Sequence, residues 1–253
     1  MFQGLRVGVV IPARNEASAI AKILLGLQAL RNADGSRVIG CIAVCNNGSS
    51  GGTGDIAFCL GAFVASEAQP GYGLACLRAI AALPKVDVLL FVDGDRSVVP
   101  GQCARLLEAI AAGADLALGA RSLGAAEPGA LAPPQLFGNA FAVWLIRLIW
   151  GVRFADLGPF RAIRFNAYQA LDMRDESYGW TVEMQIKAVQ RGLACVEVPV
   201  DTRVRLGTSK ISGTVSGVIG AGMGILGMVW RLWQRERFNS KEAKLNPVKS
   251  NLV

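Results

Sequence analysis

The sequence predicts an α/β domain: a mostly parallel β-sheet with helices on both faces, followed by an apolar C-terminal helix. Three observations carry that prediction. Short, continuous apolar runs recur as far as Ala120, the pattern of strands buried on both faces. Stretches with helical apolar spacing separate them. The connections are short, so the chain alternates strand and helix and its strands are expected to lie parallel. With 253 residues, 52% hydrophobic and 18% charged, the chain can bury a full core and does not have the composition of a disordered protein.

Val7 to Pro12 is the first strand, closed by proline. Asn15 is placed to N-cap the next helix, with Glu16 near its positive end and Ile20, Ile23, Leu24 and Leu27 as its apolar face. Val38 to Cys45 is the second strand. It opens into Asn46-Asn47-Gly48-Ser49-Ser50-Gly51-Gly52-Thr53-Gly54, which is either a plain strand-to-helix loop or one that offers backbone N–H groups to a phosphate or ribose. A short helix near Asp55 to Leu60, a strand at Ala62 to Ser66 and a helix opened by Gly71-Tyr72-Gly73 come next.

The fourth strand, Val86 and Val88 to Val92, ends in Asp93-Gly94-Asp95-Arg96-Ser97. Ligands of open α/β sheets collect at the carboxyl ends of strands. Two carboxylates this close repel unless a cation lies between them, and Mg²⁺ typically takes one or two carboxylates and completes its shell with water and phosphate oxygens. The alternative is a solvated Asp-Gly turn. A helix from Gln102 to Ala112 and a strand from Ala114 to Ala120, ending at Arg121, complete the alternation.

Beyond Arg121 the rhythm changes. Ser122 to Gln135 is rich in Gly, Pro and Ala and is expected to be a mobile loop over a site. Phe137 to Trp150 is a helix apolar nearly all round, Thr181 to Arg191 another helix, and Leu193 to Val200 the last strand. Thr214 to Trp230 carries five glycines and is short for a membrane span of ~20 residues. Basic residues flank it on both sides (Arg203, Arg205, Lys210; Arg231, Arg235, Arg237), which gives no charge asymmetry to drive crossing. It reads as a helix lying in a membrane interface or a re-entrant hairpin, with packing on the sheet or against a second copy of the chain as the alternative. The expected organisation is a catalytic domain over 1–212, the apolar helix over 213–233 and a basic, disordered tail over 234–253.

Histidine is absent, which excludes Ser-His and Cys-His catalysis and argues against zinc. The six cysteines have no paired spacing and fit reduced thiols in a cytoplasmic protein; no secretory signal precedes the first strand. The net charge of +7, of which residues from Arg231 onward supply six Lys/Arg against two Glu, favours phosphates or an acidic membrane surface. No basic helix with interleaved aromatics points to nucleic acid, and no Gly-x-x-x-x-Gly-Lys loop to a kinase or ATPase.

Together these motifs resemble the family 2 glycosyltransferases, whose GT-A fold is a Rossmann-like sheet, and within them the dolichyl- and polyprenyl-phosphate sugar synthases. The resemblance rests on Ile11-Pro12-Ala13-Arg14-Asn15-Glu16, Asn46-Asn47-Gly48-Ser49, Gly71-Tyr72-Gly73, Asp93-Gly94-Asp95, Gly119-Ala120-Arg121, Asp156 through Arg164, and Arg205 with Ser209-Lys210-Ile211-Ser212. It implies that Pro12, Ala13, Asn15, Glu16, Asn46 and Gly73 line the nucleotide pocket, and that Asp93, Asp95 and Ser97 hold Mg²⁺ or Mn²⁺ on the diphosphate of a UDP- or GDP-sugar. Arg121, Arg161, Arg164, Arg205 and Lys210 are candidates to grip phosphates, since guanidinium groups match them bidentately. Asn46 and Gly51 stand where the family usually has Asp, and Val98 and Val99 where acidic residues are common, which leaves the nucleotide open.

The expected acceptor is a polyprenyl phosphate, already an anionic nucleophile that needs no general base. The enzyme is expected to be peripheral on the cytoplasmic membrane face. Glu183 decides the alternative: near the sugar it serves as base for a hydroxyl acceptor. A non-catalytic sugar-nucleotide binder is a third reading, motivated by the altered loop at Asn46 to Thr53.

Overall fold

The computed structural model describes residues 1–207 and 215–245, without the side chains of 215–219, 221 and 239–245. Seven strands form one sheet: β1 (Val7–Ala13), β2 (Cys41–Asn47), β3 (Phe63–Glu67), β4 (Val88–Phe91), β5 (Leu116–Ala120), β6 (Arg161–Arg164) and β7 (Cys195–Pro199). Their order is β3-β2-β1-β4-β6-β5-β7, and every pairing is parallel except those of β6. Strand order reverses between β1 and β4, so a crevice opens at their carboxyl ends.

The sheet is buried on both faces because its strands alternate between two cores. Val7, Val9 and Ile11 of β1 with Val88 and Leu90 of β4 face one layer, which contains Ile20, Ile23, Leu24 and Leu27 of α1 (Ile20–Gln28) and Leu106, Leu107 and Ile110 of α4 (Cys103–Ala111). Val10, Leu89 and Phe91 face the other, with Ala75, Cys76 and Ala79 of α3 (Tyr72–Ala82), Ile146 of α5 (Pro133–Trp150) and Val182, Met184 and Ile186 of α7 (Trp180–Gln190). Two short helices, α2 (Thr53–Cys59) and α6 (Phe165–Leu171), complete the alternation, and α8 (Val215–Leu245) packs on α5 and α7.

Three expectations are corrected. Asn15 does not cap α1, which begins at Ile20 after Ala19. Its backbone is left-handed (φ 56°), a conformation Asn tolerates, and its side chain is used elsewhere. The helix after Arg121 starts at Pro133 rather than Phe137: two prolines in its first turn need no N–H partner, and the preset φ starts the helix early. β6 and α6 were not foreseen, because Arg-Ala-Ile-Arg holds only two apolar residues between its arginines and lacks a strand-length apolar run. Helix α8 spans Val215–Leu245; 208–214 and 246–253, including Lys210 and the end of the expected tail, lie outside the described residues. Among the described residues no helix is long and apolar enough to cross a membrane.

Candidate active site at the carboxyl edge of the sheet

Register places the candidate residues on one rim. Ala13 pairs with Asn46, Val10 with Phe91, and Ala120 with Pro199, so Pro12, Ala13, Asn46, Asp93 and Arg121 all lie at or just beyond the carboxyl ends of parallel strands.

The β1–β2 side of this rim is knitted by short hydrogen bonds. The Asn15 amide N–H donates to Ser49 Oγ at 2.9 Å, the Ser50 N–H donates to Asn15 Oδ1 at 2.8 Å, and the Glu16 N–H donates to Thr53 Oγ1 at 3.1 Å. Two loops are thereby locked together. At the end of β2 the Asn46 Oδ1 is buried with no hydrogen-bond partner, a deficit of about 1–3 kcal/mol that a ligand N–H would relieve. Asn47 pins the next loop: its Nδ2 donates to the carbonyls of Glu67 (3.1 Å) and Gln69 (2.7 Å), and its Oδ1 accepts from the Gly71 N–H at 3.0 Å.

Gly71 and Gly73 are glycines for packing reasons. A Cβ on Gly73 would lie 2.0 Å from the carbonyl oxygen of Asp175, and one on Gly71 2.3 Å from that of Glu176. This close approach seats Tyr72 so that its hydroxyl donates to Asp93 Oδ1 at 3.2 Å. Gly73 thereby helps to position an aromatic beside Asp93.

Asp93 and Asp95 follow β4 in a turn that is held from two sides. The Ser97 N–H donates to Asp95 Oδ1 at 2.9 Å; from the segment after β7, the Leu206 N–H donates to the Asp95 carbonyl and the Arg203 N–H to the Ser97 carbonyl, each at 2.9 Å. Arg96 between them adopts φ 72°, a left-handed strain these bonds sustain. Burial, then the nearby Asp95 charge, pushes the Asp93 carboxyl up to about 7. Arg205 Nη2 sits 3.1 Å from Asp95 Oδ2.

The chemistry of this donor set fits a hard divalent cation: two carboxylate groups and the Ser97 hydroxyl, with like charge that a cation would offset. Among the described residues no cluster of three or more acidic, Cys or His groups exists, so a metal here would draw the rest of its shell from water and phosphate oxygens.

Arg121 is on the rim but engaged. Its backbone N–H (2.8 Å) and Nε (2.7 Å) donate to Asp156 Oδ2 and its Nη2 to Asp156 Oδ1 at 2.8 Å. Burial works against its charge, and the Asp156 hydrogen bonds and charge outweigh that, so its pKa is raised. The loop bearing Asp156 is itself held by Glu197, which accepts from the Ala155 N–H at 2.8 Å. The Arg121 guanidinium still borders the cavity.

Three expected roles fail on geometry. Arg161 is 1% exposed; it donates to the carbonyls of Thr181, Leu157 and Gly158 and to Gln185, and burial lowers its pKa to about 10. It holds the loop and α7 together and does not reach a phosphate. Arg164 is opposite Val88 while Arg161 is opposite Phe91, so antiparallel β6 carries Arg164 to the far end of the sheet, where it donates to the carbonyls of Ala114 and Ile110. Glu183, 2% exposed, accepts from the N–H groups of Arg174 and Asp175 (2.8 Å for the latter) and pairs with Lys187 Nζ at 2.7 Å. It is a buried anchor with no access to a substrate hydroxyl.

A cavity of about 440 Å³ opens beside Asp93. Its polar lining includes Asp93, Ser97, Arg121 and Arg205; its walls include Phe137 and Phe141 of α5, Leu157, Tyr178, and Ile225 and Leu226 of α8. Sequence reading placed Asp156 in a motif without giving it a role of its own, and missed Thr202 and Tyr178. Thr202 is buried on the cavity wall with its Oγ1 unpartnered. The motif that Asp156 opens was its visible signal; Thr202 and Tyr178 had none.

The family model described as glycosyl transferase family 2 matches residues 8–171. The chain is 29% identical over 219 residues to an uncharacterized glycosyltransferase of Mycobacterium tuberculosis, covering 85% of this chain and 94% of that one. It is 33% identical over 140 residues to the undecaprenyl-phosphate mannosyltransferase of Micrococcus luteus, covering 52% and 56%. Among solved structures, mannosyl-3-phosphoglycerate synthase from Rubrobacter xylanophilus superimposes with a TM-score of 0.73 at 20% identity, over 92% of this chain and 75% of that one. The glucosyl-3-phosphoglycerate synthase of Mycobacterium tuberculosis, solved with Mn²⁺, UDP and glucosyl-3-phosphoglycerate, gives 0.66 at 19% identity, over 90% and 81%. These two likenesses bear on the fold, which is GT-A. The parallel sheet with its one antiparallel strand, the Asp pair at its rim and the match over most of the catalytic region make this chain a member of the family 2 glycosyltransferases, an enzyme of hexosyl transfer.

Proposed function

We propose that the enzyme moves a sugar from a nucleotide diphosphosugar to a polyprenyl phosphate, in a reaction that depends on a divalent metal. The observation that carries this reading is the cavity itself: a chamber walled largely by apolar side chains that also presents Asp93, Ser97, Arg121 and Arg205. A small hydrophilic acceptor has no use for walls of Phe, Leu and Ile, whereas a lipid phosphate matches both the walls and the charged groups.

In this reading the β1–β2 side binds the nucleotide, with the orphaned Asn46 Oδ1 accepting from a base N–H and Asn15 and Glu16 holding the pocket's loops in place. A cation held by Asp93 and Asp95 would offset the charge that builds on the diphosphate as the glycosidic bond breaks. Ser97 adds an oxygen to that set. Arg205 grips phosphate and Arg121, oriented by Asp156, faces the incoming monoester. The acceptor oxygen forms a bond to the anomeric carbon, the bond to the diphosphate breaks, and the nucleoside diphosphate leaves. No proton has to be abstracted, which fits a chain without histidine and a Glu183 that is already committed to backbone N–H groups.

The membrane surface is the proposed place of work, on its cytoplasmic face. Phe137 (75% exposed), Phe141, Trp144 and Leu148 form a stripe along α5, and Met223 and Trp230 extend it on α8, with Arg147, Arg231 and Arg235 nearby in the two helices.

The test is transfer from a panel of labelled UDP- and GDP-sugars to a short polyprenyl phosphate, with and without Mg²⁺ or Mn²⁺. Metal-dependent lipid product, lost in Asp95→Ala, supports the reading. Turnover of no donor would overturn it in favour of a sugar-nucleotide binder.

A further inference from the structure

The cavity beside Asp93 has a neighbour. A second hollow of about 390 Å³ runs between α5 and α8, lined by Leu145, Leu148, Ile149, Val229, Trp230 and Trp233, and it shares Leu226 with the first. We propose that this furrow is the binding site for the isoprenoid tail of the acceptor, so that the enzyme reads the length of the lipid as well as its phosphate. The inference rests on the lipid-phosphate reading above.

Four observations converge on it. First, adjacency: Leu226 borders both hollows, so one side chain is all that the two linings share between a phosphate at Arg121 and Arg205 and the furrow. Second, chemistry: among the lining residues the indole N–H groups of Trp230 and Trp233 are the only side-chain polar atoms, so a hydrocarbon can occupy the furrow without stripping water from a charge. Third, reach: from Phe137 at the cavity to Ile149 in the furrow α5 runs twelve residues, about 18 Å, a span that only an extended chain fills. Fourth, construction: both walls are braced.

Trp150 Nε1 and Gln190 Nε2 both donate to Glu236 Oε2, tying α8 to α5 and α7. Trp230 and Trp233 pack at 4.9 Å between ring centroids, and the Arg237 guanidinium lies 4.6 Å over Trp233. Meanwhile Leu148 (66%) and Trp230 (54%) remain exposed, apolar area that a bound tail would cover.

The experiment compares a two-isoprene and an eleven-isoprene polyprenyl phosphate in the same detergent, with the nucleotide sugar that turns over. The expected result is a kcat/KM at least about tenfold higher for the long acceptor, with the ratio collapsing toward one in Leu226→Trp, whose indole plugs the junction. A readout free of folding artefacts comes from the wild-type enzyme: the long acceptor should shift tryptophan emission to the blue and the short one should not. Equal kcat/KM for the two lengths, or a preference that survives Leu226→Trp, would show that the tail stays in the micelle or bilayer and overturn the furrow. If neither length accepts sugar, the lipid-phosphate reading itself has failed, and the furrow falls with it.

Discussion

The two sides of the active-site rim are built in opposite ways. On the β1–β2 side, neighbouring loops are cross-linked by side-chain-to-backbone hydrogen bonds of 2.7 to 3.1 Å through Asn15, Thr53 and Asn47. On the α5–α8 side, helices far apart in sequence meet through apolar side chains, several of which stay exposed. The first construction suits a charged ligand whose atoms must be placed to within a fraction of an ångström. The second suits a ligand that is mostly hydrocarbon, where contact area matters more than angle. The Asp93–Asp95 turn lies where the two sides meet, held on one flank by Tyr72 and on the other by residues 203–206.

Substitutions can break the comparison at either side, and the largest effect belongs at the junction. Asp95→Asn should lower kcat/KM by about 10³-fold or more, measured as sugar transfer at saturating metal. Phe141→Ala, on the apolar side, should cost only about tenfold in kcat/KM for a lipid acceptor and leave the KM for donor unchanged; a raised donor KM would merge the two sides into one. Gly73→Ala should destabilise the fold by about 3 kcal/mol in urea unfolding, because its methyl would meet the Asp175 carbonyl. Gly101→Ala, with nothing within 4 Å, should stay within about 0.5 kcal/mol of wild type.

The smallest effect is far from both sides. Arg6, through its hydrogen bonds first and its charge second, lowers the Asp87 pKa to about 2 from 3.8. A depressed carboxylate stabilises the fold above its unfolded pKa and loses that contribution as pH falls through its folded value. Asp87→Asn should therefore cost a little stability at pH 7, and progressively less as the pH falls below about 4 toward 2, in thermal melts; both partners are well exposed, so the difference is small.

The same contrast explains what the sequence disclosed. Strands β1, β2, β4 and β5 were legible because burial on both faces writes them as apolar runs, and the Asp pair was legible because it stands at the end of one. β6 was not: with Arg161 and Arg164 at its two ends, it owes its strand state to pairing between β4 and β5, and that antiparallel pairing carries Arg164 to the far end of the sheet while Arg161, at the near end, is spent on carbonyls of the loop and α7. Glu183 looked like a base because a carboxylate after Gly-Trp-Thr is conspicuous, yet what consumes it is the set of N–H groups at residues 174 and 175, which no linear spacing announces. Tyr178 and Thr202 reach the cavity only through tertiary packing.

The account stands or falls on what the cavity accepts. The direct measurement offers one labelled nucleotide sugar, in the presence of Mn²⁺, to an equimolar mixture of an undecaprenyl phosphate and 3-phosphoglycerate, and partitions the product between organic and aqueous phases. The account predicts label in the organic phase, as a sugar ester of the lipid phosphate. Label in the aqueous phase, on the hydroxyl of the phosphoglycerate, would contradict it.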